Sequence, residues 1–91
     1  MAKVVITAQV ENGAKWEASF LTHTDLFRTY GVSSPVEFGV QGNSVTVCTE
    51  ARDAAAFVKT LGEPATVDAM KADGVKRETV KIMILDKKMK F

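Results

Sequence analysis

One two-residue turn constrains this chain more than any other feature. Gly42-Asn43 stands between two alternating segments, Val36 to Gln41 and Ser44 to Glu50, and the pair suits the primed turns that join antiparallel strands. Each side of this hairpin carries one helical region and one further strand. Ahead of it, Lys3 to Val10 is dense in β-branched residues and ends at Glu11-Asn12-Gly13, where Asn12 can cap a helix running from about Ala14 to Tyr30. Gly31 is the residue type that closes a helix, and Ser33-Ser34-Pro35 forbids continuation. Behind the hairpin, Arg52 to Leu61 is alanine-rich and helical, Gly62 interrupts it, and Glu63-Pro64 restarts a helix that ends at Asp73-Gly74. Glu78 to Asp86 supplies a last strand. The order β-α-β-β-α-β predicts one ferredoxin-like α+β domain over residues 1–91, a four-stranded antiparallel sheet with its helices on one face.

Helices on one face leave the other bare, and its residues are not those of a fully solvated surface. The first strand carries Val4, Ile6, Ala8 and Val10 on one side but Val5 and Thr7 on the other, and in the last strand Met83 and Leu85 oppose Val80, Ile82 and Ile84. An uncovered apolar sheet face predicts a partner, and a second copy closing sheet onto sheet is the simplest symmetric solution. A homodimer through the open face is therefore expected.

The first helix bears a stripe, Trp16, Phe20, His23, Phe27 and Tyr30, spaced four, three, four and three. Such a face fills a core or roofs a pocket. As core, His23 would find ring partners close by, such as Thr22 or Thr24. As a site, His23 is the candidate general acid or base and Tyr30 the phenol that orients a substrate oxygen. Trp16 and Phe20 then form flat apolar walls for an aromatic or polyketide-like molecule.

Composition narrows the alternatives. Twelve Lys and Arg against eleven Asp and Glu leave a net charge of +1, which is not the footprint of a nucleic-acid binder. Lys87, Lys88 and Lys90 read as a solvated end. Cys48 is the only cysteine and has no disulfide, zinc or redox partner. One histidine and scattered carboxylates such as Glu11, Glu17, Asp25, Glu37 and Glu50 predict no metal, and the glycines form no phosphate cradle. The start reads as a strand, not a signal peptide, and no apolar run reaches membrane length, so a soluble cytoplasmic protein is expected. Acylphosphatases share this element order but need a glycine-rich loop with an arginine where this chain has Glu11-Asn12-Gly13-Ala14. RNA-recognition modules display aromatics on their first and third strands, and neither Lys3 to Val10 nor Ser44 to Glu50 has any.

Trp16, Phe20 and His23 on the first helix, followed by Gly62-Glu63-Pro64 and Ala69-Met70-Lys71-Ala72-Asp73-Gly74-Val75 before the last strand, resemble the dimeric α+β barrel superfamily. The chain is most similar there to the small cyclase-like and antibiotic-biosynthesis-monooxygenase-like members. The resemblance implies two sheets facing each other as a barrel, and a pocket between sheet and helices in each subunit. Trp16, Phe20 and Phe27 would line that pocket, joined by Phe38 and by Met70 or Phe57. It also implies chemistry without metal or bound coenzyme, with His23 and Tyr30 as the polar groups. Haem-degrading relatives rely on a histidine in the second helical region, and Arg52 to Gly74 has none. Two readings stand: a dimeric barrel that binds a small apolar ligand, or a cofactor-independent cyclase or monooxygenase with His23 as its proton-transfer group.

Overall fold

The computed structural model describes residues 2–32 and 35–91. Eight elements follow in order: β1 (Ala2–Val10), α1 (Gly13–Phe20), α2 (Thr24–Thr29), β2 (Glu37–Gln41), β3 (Ser44–Ala51), α3 (Ala54–Thr60), α4 (Pro64–Ala72) and β4 (Val75–Leu85). The strands form one sheet in the order β2-β3-β1-β4, and every neighbouring pair is antiparallel. This is the ferredoxin-like α+β architecture the sequence predicts, with each helical region split in two.

The hairpin turn also anchors the first helix. Gln41 pairs with Ser44 across Gly42 and Asn43, and the Asn43 carbonyl accepts from the Val10 amide at 2.8 Å while its side chain accepts from the Gly13 amide at 3.2 Å. A Cβ on Gly13 would lie 2.2 Å from the Gly42 carbonyl oxygen, so only glycine lets α1 start this close to the turn. Asn12 caps α1, its side chain accepting from the Lys15 amide at 3.0 Å.

The helix expected from Ala14 to Tyr30 breaks between α1 and α2. At the break the Thr22 and His23 amides bond to carbonyls three residues back, Ser19 and Phe20, and the Thr22 hydroxyl takes the Ser19 carbonyl as well, at 2.6 Å. A hydroxyl that offers the backbone this local alternative tightens the turn and ends the α-helical ladder. Beyond it, α2 closes as expected at Gly31, with φ of 83°; the Gly31 amide bonds to Arg28 and the Val32 amide to Phe27, a Schellman closure that packs Val32 near Phe27. The stop expected at Ser33-Ser34-Pro35 falls largely on Ser33 and Ser34, which lie outside the described residues.

β4 begins at Val75, three residues before the expected Glu78: opposite the step from Thr7 to Gln9 in β1, extra residues of β4 bulge between Lys81 and Lys76, and beyond them Gln9 and Val10 pair with Lys76 and Val75. Two buried clusters fill the space between sheet and helices. Ala8, Val10, Val45 and Val47 pack on Trp16, and Val4 and Ala51 pack on Phe57 and Val32. A chain of rings joins them: Trp16 stacks on Phe20 at 4.6 Å, Phe20 meets Phe27 edge-on at 5.6 Å, and Phe27 lies 6.5 Å from Phe57. The other sheet face carries Val5, Thr7, Cys48, Met83 and Leu85 by alternation, with Met83 and Leu85 exposed.

Candidate functional site

The ring chain forms one wall of an apolar cavity of about 90 Å³ between the helices and the sheet. Trp16, Phe20, His23, Phe27 and Tyr30 all reach it, although the break means that they do not share one continuous helix. Opposite them, α4 contributes Thr66, Ala69, Met70 and Asp73, a spacing that places all four on one helix face. Phe57 also lines the cavity. Phe38 does not: it stands behind the wall, edge-on to Trp16 at 5.9 Å and to Phe20 at 5.3 Å.

Two polar clusters interrupt the apolar lining. In the first, His23 Nε2 lies 2.8 Å from Asp73 Oδ2, and the Ser19 hydroxyl donates to Asp73 Oδ1. The Asp73 side chain is 4% exposed and that of His23 23%. A carboxylate this buried needs donors on both oxygens, and it has them. The helix break makes this possible, because it puts Ser19 on the last turn of α1 and His23 in the joint, both reaching the end of α4. His23 therefore pairs with a carboxylate 50 residues away rather than with Thr22 or Thr24.

The second cluster sits around Tyr30 at the end of α2. Thr66 Oγ1 lies 2.9 Å from Tyr30 Oη and 2.8 Å from the Thr60 carbonyl oxygen. A carbonyl only accepts, so the single Thr66 proton goes to Thr60, and Tyr30 then donates its own proton to Thr66. His23 and Tyr30 thus stand on the same cavity and do not bond each other; each bonds to α4.

Asp73 and Thr66 are the functional candidates that sequence reasoning missed. Asp73 read only as a helix end, yet a carboxylate at a helix C-terminus opposes the helix dipole, and that cost is the signal of a second role. Thr66 shares its helix face with Ala69, Met70 and Asp73, a periodicity that an isolated threonine conceals. Among the described residues no group of three His, Cys, Asp or Glu side chains gathers as a metal site requires. Cys48 is a free thiol on the face away from the cavity. Among the same residues, no helix is long and apolar enough to cross a membrane.

The sequence matches no family model and no curated protein. Its fold does match solved structures. A candidate antibiotic biosynthesis monooxygenase from Deinococcus radiodurans superposes with a TM-score of 0.67 at 15% identity, covering 100% of this chain and 96% of that one. SnoaB, a cofactor-independent oxygenase from Streptomyces nogalater, gives 0.71 at 17% identity over 98% of this chain and 94% of its own. Rv0793 from Mycobacterium tuberculosis gives 0.62 at 12% identity over 99% and 98%. The chain shares the α+β fold of these antibiotic-biosynthesis-monooxygenase structures, the fold that the resemblance of its sequence implies.

Proposed function

We propose that the protein is a cofactor-independent enzyme of the oxygenase or cyclase type, acting on a small aromatic or polyketide-like compound with His23 as the proton-transfer group. The observation that carries this reading is the His23–Asp73 pair on the wall of an otherwise apolar cavity. A histidine kept only for packing needs one ring partner and no buried charge. Here the fold keeps a carboxylate under the imidazole, which orients the ring and stabilises the imidazolium formed when it takes a proton. The similarity to SnoaB in fold supports the same class.

In the oxygenase form, His23 removes a proton from a ring CH2 conjugated through aromatic rings with a ketone, or from the hydroxyl of its enol tautomer. The delocalised carbanion is the electron donor and dioxygen the oxidant: one oxygen atom becomes the new C=O and the other leaves as water, so CH2 plus O2 gives C=O plus H2O. In the cyclase form the same carbanion attacks a carbonyl within the substrate. The cavity of about 90 Å³ is smaller than the roughly 150 Å³ that houses a benzene. Substrate therefore enters by displacing wall side chains, for which the flexible, half-buried Met70 is best placed.

The open sheet face supports a homodimer in the same proposal, since Met83 and Leu85 lie exposed beside Val5 and Cys48. Oxygen uptake with anthrone as the probe tests the reading. His23→Gln should lower kcat/KM by about 10²-fold or more with circular dichroism unchanged. Equal rates in the two proteins would remove His23 from the chemistry and leave a ligand-binding barrel.

A further inference from the structure

The proton positions in the two polar clusters decide what kind of ligand the cavity takes. Asp73 accepts at both oxygens, from Ser19 and from His23 Nε2. In the neutral imidazole the one ring proton is then on Nε2, and Nδ1 is a bare acceptor. No hydrogen bond within the described residues uses Nδ1. Tyr30 has likewise committed its proton to Thr66, whose own proton goes to the Thr60 carbonyl, so Tyr30 Oη has lone pairs to offer and no hydrogen. Both polar groups predicted to meet a substrate are acceptors.

We infer that Asp73 and Thr66 are positioning residues that set the cavity to receive a hydroxyl donor, a phenol or enol, in preference to the matching ether, ketone or quinone. A ligand carbonyl would meet only lone pairs, while a ligand O–H finds an acceptor at either cluster without disturbing a bond already made. This polarity also gives the role expected for Tyr30 a direction: it orients a substrate oxygen by accepting from its hydroxyl. The inference deepens the proposed function, since the enol tautomer of the proposed ketone presents its hydroxyl proton to Nδ1 and on losing it gives the same delocalised anion, but the hydrogen-bond polarity stands apart from turnover.

Because His23 is the only histidine, ¹⁵N spectra of the imidazole are free of overlap. In ligand-free protein, at a pH where the ring is neutral, the expected spectrum has a protonated Nε2 and an unprotonated Nδ1. Asp73→Asn should mix the two tautomers, and Ser19→Ala should leave Nε2 protonated. A ring protonated at Nδ1 in the wild type overturns the inference whatever the variants do. Phenol and anisole then test the ligand class, each titrated while the His23 ring signals are followed. Phenol should bind about tenfold more tightly and shift Nδ1, and Thr66→Val should narrow that preference by freeing the Tyr30 proton. Equal binding of phenol and anisole overturns the inference. Loss of turnover on anthrone with the phenol preference intact would instead count against the proposed reaction alone.

Discussion

Asp73 is held against two unfavourable effects at once. Its carboxylate is buried, and it caps the carbonyl end of α4, where the helix dipole disfavours negative charge. The Ser19 and His23 donors offset both. Removing either donor leaves a buried charge half satisfied, so Ser19→Ala should lower stability by about 2 kcal/mol in urea titration. A loss below a few tenths would mean that the Ser19 contact is dispensable. Thr49 gives the opposite sign. It is 1% exposed on β3, and its hydroxyl has no hydrogen-bond partner among the described residues. Thr49→Val keeps the shape and removes the orphaned group, and should raise stability by about 1 kcal/mol in the same titration. At this scale the sequence was legible only in part. The aromatic residues and His23 announced themselves by chemistry and spacing, but Asp73 is 50 residues from His23, and nothing local says that the two meet.

Elements were more legible than their interruptions. Asn12, Gly31, Pro64 and the Gly42-Asn43 turn each carry a local mechanism, and each performs the expected job. The break between α1 and α2 left no comparable mark. It depends on Thr22 bonding back to Ser19 and on the tertiary pull of Asp73 on His23, and the stripe reads equally well through an unbroken helix. The early start of β4 was hidden by Lys76, Arg77 and Glu78, which belong to the strand but look like a charged turn; only Lys76 of the three pairs with β1, opposite Gln9. The contact of α1 with the hairpin provides the test at this scale. Gly13→Ala places a methyl against the Gly42 carbonyl, so α1 must shift, and a loss of about 1 to 3 kcal/mol is expected from the overpacking. Asn12→Ala, which removes only the cap, should cost about 1 kcal/mol. If the two variants melt together, the close approach is not a constraint.

Across the whole molecule, apolar side chains gather where the sheet has no helices. Met83 and Leu85 of β4 lie exposed on the open face, and Met89 and Phe91, beyond the end of the strand, are exposed as well. An exposed apolar patch on a half-covered sheet is the surface that a second copy would bury. The paired substitutions Met83→Lys and Leu85→Lys should therefore shift sedimentation equilibrium from dimer to monomer with the fold retained; a wild-type monomer would refute the barrel assembly. The fold itself could be read from the order of elements, because a βα unit, a hairpin and an αβ unit leave few ways to pair four strands. The cavity could not, since it depends on how far α4 stands from the sheet.

Every role given to His23 and Tyr30 requires that the cavity take up a ligand, and Trp16, the only tryptophan, sits on its wall. The most direct measurement is a titration of Trp16 emission with anthrone, in the wild type and in Ala69→Phe, which fills the cavity from α4. A saturable change in the wild type that disappears in the filled variant, with circular dichroism unchanged, is the predicted result. An emission that stays constant in the wild type, or that responds equally in both proteins, would mean that the rings of Trp16, Phe20 and Phe27 are core and that no ligand binds among them.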